Sequence, residues 1–360
     1  MVNLNLIFIH FEDLCKTNFI SDNTKTINKF VNSIMINQNS KILITGAAGF
    51  IDSCMAKFLN EKGYEQLILC DDFTINEKKE NHFHLKCIEK IHRESIDNFL
   101  ANTLNIDCVI HFGARTDTTE MDYTIHEKWN VNFSKKIWNY CVKQNIPLIY
   151  ASSAATYGNG EFGYDDKNEN ALKLTPLNPY GISKNEFDKW VIQQTQQPPN
   201  WYGLKFFNVY GPNEFHKKRM ASVVFHSYHQ IFQNKKITLF RSHNPSFKDG
   251  EQKRDFIYVK DILKVSYWLL TQLPPNGIYN LGTGNANTFL NLAYSLFHAM
   301  NIAPNIEFID TPIDIRDKYQ YFTEANMQKL RAAGYHESFY SLQEGIKDYV
   351  KNYLSTNQYF

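Results

Sequence analysis

The stretch KILITGAAGFID, residues 41–52, decides the fold of this 360-residue chain. Its first half, Lys41-Ile-Leu-Ile-Thr45, has the short apolar pattern of a buried strand. Glycines at positions 46 and 49 then predict a tight turn, and a run with helical spacing follows to about Lys62. Gly63 ends that helix. The stretch therefore predicts a strand, a glycine turn and a helix in immediate succession.

The next segment completes a βαβ unit. Gln66-Leu-Ile-Leu-Cys70 predicts a second strand, which Asp71 and Asp72 close. A turn built on Gly46 and Gly49 lets backbone N–H groups and the helix N-terminus approach a diphosphate. An acid at the end of the second strand can bind an adenosine ribose. The unit therefore predicts a dinucleotide site.

Two features of this unit leave the cofactor open. The glycine pattern continues with Asp52 where a third glycine would stand, and that glycine permits close packing of helix on strand. Asp52 is expected to loosen this packing or to place a negative charge beside the cofactor. Lys78 and Lys79 follow the acids and either neutralise a 2′-phosphate, which would favour NADP over NAD, or lie in a solvated loop.

Strands and helices alternate along the rest of the chain at intervals of about 30 residues. This alternation predicts the α/β class, with a doubly wound parallel sheet of the Rossmann type and a smaller C-terminal α/β substrate domain. We expect an N-terminal extension at 1–39. The dinucleotide-binding domain is predicted at 40–206, with returns near 255–285 and 321–335, and the substrate domain at 207–254, 286–320 and 336–360.

Composition excludes several classes of protein. Hydrophobic residues make up 43% of the chain, which suffices for a full core, and the formal net charge of +1 gives no basic field for nucleic acid. The six cysteines form no CxxC pair, so we expect reduced thiols, a cytoplasmic location and no metal site. No apolar run approaches the length that a membrane span requires, and the N-terminus lacks the features of a secretory signal.

The following segments contain candidate residues for cofactor contact and proton transfer. Asp107–Ala114 predicts a buried strand with small residues at its end, where a cofactor would pass. Asn130 opens a helix, and its side chain is expected to tie neighbouring loops together. Tyr180 and Lys184, four residues apart, share a helix face, so the ammonium should lower the pKa of the phenol. Ser153, at the end of another strand, could bind the same substrate oxygen.

The motifs resemble those of the extended short-chain dehydrogenase/reductase superfamily of nucleotide-sugar enzymes. TGxxGFI, SSAATYG, YGxSK, FNVYGP and RDFxYVxD occur in this order. The likeness is closer to the heptose 6-epimerase branch, because FFNVYGPNEFHKKRMASVVFH (206–226) and YQYFTEANMQKLRAAGY (319–335) are similar to segments of that branch. The resemblance covers residues 41 to about 351.

The resemblance implies a reaction. A hydride would pass from C6″ of ADP-D-glycero-β-D-manno-heptose to bound NADP, or NAD, and return to the other face, giving a precursor of the lipopolysaccharide inner core. Inversion needs an acid/base group on each face, and the resemblance gives these roles to Tyr180 and Lys217. Lys184 would orient the nicotinamide ribose and Ser153 would hold the reacting oxygen. The alternative role for Lys217 is to bind an anion.

The resemblance also implies contact residues and a homo-oligomer, with a pentamer as its suggested form. The implied cofactor contacts are Gly46, Gly49, Phe50, Ile51, Asp71, Asp72, Lys78, Gly113, Ala114, Arg115, Thr116, Asn130, Lys184, Val209 and Lys217. The implied substrate contacts are Asn208, Arg219, His226, Phe240, Arg254 and Tyr319. Arg115 and Arg219 depart from the pattern, since smaller residues stand there in well-known members.

Three other functions compete with this one. An epimerase of another nucleotide sugar, such as a 4-epimerase, is disfavoured by the HKKRMASVVFH segment. A 4,6-dehydratase is disfavoured because Ala154-Ala155, rather than an Asp-Glu pair, follow Ser153. A degenerate scaffold that binds a dinucleotide poorly has support only from Asp52 and the N-terminal extension.

Overall fold

A computed structural model describes residues 36–316 and 319–360. The N-terminal extension predicted at 1–39 therefore lies almost entirely outside the described residues, and so does Cys15. The strands are β1 (Ile42–Thr45), β2 (Leu67–Asp71), β3 (Glu89–His92), β4 (Cys108–His111), β5 (Leu148–Ser153), β6 (Trp201–Phe206), β7 (Asn208–Tyr210), β8 (Ile237–Phe240), β9 (Lys253–Arg254), β10 (Phe256–Tyr258), β11 (Gly277–Leu281), β12 (Asn287–Thr288) and β13 (Ile306–Ile309).

Helices connect these strands, and two of them continue into π-helical turns at Glu127–Asn132 and Val350–Leu354. The α-helices are α1 (Phe50–Glu61), α2 (Lys79–His82), α3 (Ile96–Asn102), α4 (Tyr123–His126), α5 (Phe133–Gln144), α6 (Pro179–Ile192), α7 (Val223–Asn234), α8 (Val259–Gln272), α9 (Phe289–Met300), α10 (Ile313–Arg316), α11 (Gln328–Ala332) and α12 (Leu342–Tyr349).

The central sheet has seven parallel strands in the order β3-β2-β1-β4-β5-β6-β11. The strand order reverses between β1 and β4, and ligands of such sheets bind in the crevice at this reversal. The predicted doubly wound parallel sheet is thereby confirmed. Its far edge is β11, so residues 277–281 belong to the same sheet as residues 42–45.

Both faces of the sheet are covered, which explains why its strands read as continuous apolar runs. Ile42 and Ile44 belong to the hydrophobic core on one face, whereas Leu43 belongs to the core on the other. Helix α1 packs closely against the sheet, as shown by Cys54 and Leu59, which have no exposed surface. The loosened packing that Asp52 was expected to cause is therefore absent from this helix.

Three smaller strand pairs lie beyond the central sheet. Strands β7 and β10 are parallel, β8 and β13 are parallel, and β9 and β12 are antiparallel. They arise from residues 208–309, which the sequence assigns mainly to the substrate domain. The boundaries of that domain stay a prediction.

The five cysteines in the described ranges are all free thiols, and four of them are buried. Among residues 36–316 and 319–360, no helix combines the length and the apolar character needed to cross a bilayer.

A buried ion pair lies behind the carboxyl end of β5. Lys205 Nζ is 2.8 Å from Asp188 Oδ2, and both side chains are almost fully buried. Asp188 also accepts hydrogen bonds from Ser152 Oγ at 2.6 Å and from Tyr150 OH at 3.1 Å. This network fixes β5 and β6 against α6, the helix that carries Tyr180.

We expect Asp188→Asn to lower the free energy of unfolding by about 3–5 kcal/mol, because it leaves the Lys205 ammonium buried without a countercharge. The measurement is denaturant unfolding at pH 7. Glu307→Gln is the matched control, since Glu307 forms a surface pair with Lys236, and its effect should be much smaller. Equal losses in the two variants would contradict this account of the network.

Candidate active site

The ends of β1 and β4 approach each other through two glycines. Gly46 has φ +76°, and a Cβ on it would lie 2.5 Å from Gly113 Cα. A Cβ on Gly113 would in turn lie 2.8 Å from Gly46 N. Only glycine fits at either position. The close approach of the two backbones therefore requires the small residues that the sequence predicted here. The approach leaves the N-terminus of α1 facing a cavity of about 430 Å³.

The acid that follows β2 holds the glycine turn. Asp71 Oδ2 accepts a hydrogen bond from Ala48 N at 2.9 Å, and Asp71 Oδ1 accepts one from Lys78 Nζ at 3.0 Å. Lys78 therefore lies at the cavity rather than in a solvated loop. Asp72 is 3.4 Å from the guanidinium of Arg93, which stacks on the ring of Trp129 with 4.4 Å between Cζ and the ring centroid.

Arg93 and Trp129 both line this cavity, although no sequence motif had indicated either of them. Arg93 directly follows β3, the neighbour of β2 in the sheet. The signal that could have identified Arg93 is its position directly after β3, the parallel strand next to β2. The carboxyl ends of parallel strands meet at the same edge of a sheet.

The first cavity fits a dinucleotide. Its wall combines a glycine cradle, a helix N-terminus that favours negative charge, an acid for a ribose hydroxyl, and the cations Lys78 and Arg93. The predicted contact residues Gly46, Gly49, Phe50, Ile51, Asp71, Lys78, Gly113, Ala114, Arg115, Thr116 and Lys217 line it. Asp72 lies behind Arg93 and does not line the cavity.

Asn130 lies inside the continuous helical stretch from Tyr123 to Gln144 rather than at its start, so the prediction that it opens a helix is wrong, and its side chain ties one loop to a helix. Its Oδ1 accepts a hydrogen bond from Arg115 N at 2.7 Å, and its Nδ2 donates to Arg115 O at 3.0 Å. The same amide group donates to Ser183 Oγ at 2.9 Å. Asn130 is fully buried, so it acts from beneath the first cavity and fixes the loop after β4 to helix α6.

A second cavity, of about 320 Å³, adjoins the first. Tyr180, Lys184 and Lys217 all line it, and so do Asn208 and Val209. Helix α6 presents Tyr180 in its first turn because Asn178 caps the helix, its Oδ1 accepting from Gly181 N at 2.8 Å. Pro179 occupies the first helical position, where its fixed φ is favourable.

The electrostatics of Tyr180 differ from the sequence prediction. Burial raises the pKa of Tyr180, and a hydrogen bond with Ser153 opposes that rise. Burial also lowers the pKa of Lys184 to about 8, against the charges of Asp188 and Asp52. Lys184 Nζ donates to Ala151 O at 2.9 Å. The prediction that Lys184 lowers the Tyr180 pKa is therefore wrong for this structure, because the loss of hydration dominates for both groups.

Lys217 belongs to a segment, Phe215–Met220, that lies between the two cavities and is called here the bridging segment. Burial lowers the pKa of Lys217, and the nearby carboxyl of Glu214 opposes this shift. Glu214 is fully buried and accepts from Ser222 Oγ at 2.8 Å and Tyr349 OH at 3.1 Å. Glu214 stands three residues before Lys217, yet no sequence pattern singled it out.

The bridging segment is attached to the walls of the first cavity. Arg219 Nη2 is 3.1 Å from Asp117 Oδ2, and Lys218 Nζ is 3.3 Å from Glu77 Oε1. Lys218 has φ +50°, an unfavourable conformation for a residue with a side chain. His226 lies 3.4 Å from Arg219 O. Arg219 and His226, both predicted substrate contacts, line neither cavity.

Phe240, Arg254 and Tyr319 meet in a separate cluster. The Arg254 guanidinium lies over the ring of Tyr319, 5.5 Å from its centroid, and the rings of Phe240 and Tyr319 are in edge contact at 6.2 Å. Arg254 Nη1 donates to Lys253 O at 2.9 Å. These three predicted substrate contacts are thus brought together, but outside both cavities.

Residues 42–282 match the model of the NAD dependent epimerase/dehydratase family. The chain is 45% identical over 325 residues to the ADP-L-glycero-D-manno-heptose-6-epimerase of Fusobacterium nucleatum, covering 87% of this chain and 98% of that protein. It is also similar to the solved structure of the Helicobacter pylori ADP-L-glycero-D-manno-heptose-6-epimerase, with a TM-score of 0.75, 26% identity, and coverage of 89% and 98%.

A third similarity concerns the fold alone. The structure of Thermus thermophilus UDP-glucose 4-epimerase in complex with NAD has a TM-score of 0.66 to this chain at 23% identity, covering 86% of this chain and 97% of that one.

The lowered pKa of Lys184 predicts a pH dependence of stability in the cofactor-free protein. Between about pH 8 and 10.5 the unfolded chain holds the Lys184 proton and the folded chain does not, so the free energy of unfolding rises with pH. Below pH 8 the buried charge destabilises the fold by on the order of 3 kcal/mol. Denaturant unfolding from pH 7 to 10.5 measures the free energy of unfolding of wild type and of Lys184→Met. The wild-type value should rise relative to that of the variant by about this amount.

Lys189→Met, a change of a partly exposed lysine on the same helix, controls for replacing a helical lysine by methionine. A constant difference between wild type and Lys184→Met over the whole pH range would refute this account of Lys184.

Proposed function

The chain belongs to the NAD dependent epimerase/dehydratase family, and within it to the ADP-L-glycero-D-manno-heptose-6-epimerases, and we propose that it inverts C6″ of ADP-D-glycero-β-D-manno-heptose. The product is ADP-L-glycero-β-D-manno-heptose, a precursor of the lipopolysaccharide inner core. We place the enzyme in the cytoplasm as a homo-oligomer, and a pentamer is the form that the family resemblance suggests.

One observation carries the proposal. Tyr180 and Lys217 come from different elements, helix α6 and the bridging segment, yet they line the same cavity. An inversion through a ketone needs proton transfer at the sugar oxygen from two directions. A dehydrogenase would need only one such group. Two proton-transfer groups on one cavity therefore favour an epimerase.

The chemistry divides between these residues. A bound nicotinamide dinucleotide supplies the hydride acceptor and donor at C6″. One of the two groups, Tyr180 or Lys217, takes the proton of the 6″-hydroxyl as the ketone forms, and the other returns a proton to the oxygen once the opposite face is presented. Ser153 holds the reacting oxygen beside Tyr180. Burial lowers the Lys217 pKa, which brings its neutral, proton-accepting form closer to working pH.

The remaining predicted contacts receive their roles by position. Asn208 and Val209 lie on the wall of the second cavity and are assigned to the sugar and to the nicotinamide end of the cofactor. The cluster of Phe240, Arg254 and Tyr319 is assigned to the ADP portion of the substrate, because an aromatic pair beside a guanidinium suits a base and a phosphate. Arg219 and His226 are assigned to the same substrate, at the end of the bridging segment.

We propose NADP as the cofactor. Lys78 and Arg93 stand beside Asp71 and Asp72 at the carboxyl edge of β2 and β3. Two cations at this edge can balance the two acids and still offer charge-assisted hydrogen bonds to a 2′-phosphate. With acids alone, this edge would repel such a phosphate.

The purified protein, incubated with ADP-D-glycero-β-D-manno-heptose, should convert it to the L-glycero epimer, followed by NMR of the C6″ proton. Tyr180→Phe and Lys217→Met should each lower kcat by at least about 100-fold, because each removes one proton-transfer group. The control variants are Tyr294→Phe and Lys173→Met, which change exposed residues and should retain wild-type rates.

Each of the two site variants should retain partial oxidation or reduction of a simpler substrate analogue from one face. Absence of conversion by wild type that carries cofactor would refute the epimerase proposal. Full activity of Lys217→Met would refute the assignment of two acid/base groups.

We expect NADP(H), rather than NAD(H), to be released when the purified protein is denatured, and chromatography of the released nucleotide tests this. Lys78→Met and Arg93→Met should each weaken NADP⁺ binding by about 10-fold or more and leave NAD⁺ binding nearly unchanged, because only NADP⁺ carries the 2′-phosphate. Lys57→Met, on the outer part of α1, is the control. An equal effect on both dinucleotides would contradict the assignment.

A further inference from the structure

Asp52 occupies an unusual place in the first cavity. It is the third residue of α1 and stands where the glycine pattern of the turn would continue. Its side chain is 6% exposed and bends back over the turn, so that Oδ2 is 2.9 Å from where a Cβ of Gly46 would lie and 3.5 Å from that of Gly49. The carboxyl group therefore lies at the helix N-terminus, on the wall that a diphosphate would face.

One oxygen of the Asp52 carboxyl, Oδ1, is buried and has no hydrogen-bond partner in the described part of the chain. A hydrogen bond from the Asp52 backbone amide favours the charged form of the carboxyl. A buried carboxylate in this situation is costly, since water is removed from Oδ1 and no described residue replaces it. A ligand oxygen in the first cavity can supply the partner that the buried Oδ1 lacks among the described residues.

The charged groups around Asp52 come from four elements. Asp71 at the end of β2 carries a like charge and raises the Asp52 pKa, whereas the Asp52 backbone amide, Lys78 and Lys184 lower it. Lys217 of the bridging segment also interacts with it. Burial and Asp71 outweigh the lysines and raise the Asp52 pKa well above its usual value.

We propose that Asp52 is a cofactor-binding residue that works in its protonated form, donating a hydrogen bond from its O–H group to a diphosphate oxygen of the dinucleotide. When the carboxyl is ionised, binding requires the uptake of one proton from solvent, because a carboxylate and a diphosphate oxygen cannot share a hydrogen and repel each other. Dinucleotide affinity then falls as pH rises through the Asp52 titration.

This inference rests on the proposed function only in taking a dinucleotide as the ligand. It explains how a glycine turn with an acid in its third position can still receive an anion. It also distinguishes Asp52 from Asp71, whose two carboxyl oxygens already accept hydrogen bonds from Ala48 N and Lys78 Nζ.

The test measures NADPH binding from pH 5.5 to 9.5 by nicotinamide fluorescence, after removal of bound nucleotide, in wild type, Asp52→Asn and Asp52→Ala. Asparagine keeps an N–H donor and never ionises, whereas alanine has no donor. Because Lys184 and Lys217 are present in all three proteins, the ratio of wild-type Kd to Asp52→Asn Kd isolates the contribution of Asp52.

We expect this ratio to be constant at acidic pH and to rise towards tenfold per pH unit at alkaline pH. Calorimetry in two buffers of different ionisation enthalpy should show that wild type takes up more protons than Asp52→Asn in the alkaline range. At pH 5.5, Asp52→Ala should bind about 10- to 100-fold more weakly than wild type, as expected for loss of a hydrogen bond to a charged group.

A ratio that stays flat from pH 5.5 to 9.5 overturns the inference. Tighter binding by Asp52→Ala at pH 5.5 also overturns it, because Asp52 would then be an obstacle and not a donor. In both cases the proposed epimerase function stands. Absence of dinucleotide binding in all three proteins would overturn the inference and the proposed function together.

Discussion

A row of buried hydrogen bonds joins the carboxyl ends of β1 and β4 to helix α6. Thr45 Oγ1 is 2.6 Å from His111 Nδ1, His111 Nε2 is 2.8 Å from Ser134 Oγ, and Ser134 Oγ donates to Asn130 O at 2.6 Å. Asn130 then reaches Ser183 on α6. The strand ends that flank the first cavity and the helix that carries Tyr180 are therefore held in one network. The relative position of the two cavities depends on it.

The direction of this row is fixed by chemistry. Burial and the charge of Lys184 lower the His111 pKa to about 3, so the ring is neutral and has one donor and one acceptor. Ser134 gives its proton to Asn130 O and must accept from Nε2–H, which leaves Nδ1 to accept from Thr45. His111 and Ser134 each donate once and accept once within the row, and a buried polar row of this kind is stable only when it is complete.

Much of the fold could be predicted because local pattern and topology agree. About 30 residues encode the strand, turn and helix of residues 41–62 together with the acid at position 71. The role of Asn130 in joining neighbouring segments was predicted from its position alone. The predicted effect of Lys184 on the pKa of Tyr180 was wrong. Sequence spacing identifies neighbours on a helix, but it does not show how much water each side chain loses on burial. Arg93 was missed because its importance comes from the pairing of β3 with β2.

Asp52 shows the same limit of sequence reasoning in another form. A pattern can say that a glycine is absent, but the consequence depends on which way the new side chain turns and on what surrounds it. Here it turns back over the glycine turn, and the helix keeps its close packing. The bridging segment is a comparable case, since its contacts with Glu77 and Asp117 join residues about 100 or more positions apart in the chain.

The ion pairs that hold the bridging segment in place affect how long a ligand stays bound in the first cavity. Opening that wall breaks the exposed ion pairs of Lys218 and Arg219 together, which adds a modest barrier to release compared with a wall formed by a free loop. A dehydrogenase exchanges its dinucleotide in every cycle and would lose turnover through such a wall. An enzyme that takes a hydride and gives it back to the same sugar regenerates its cofactor in place, so for that enzyme slow release carries no kinetic penalty.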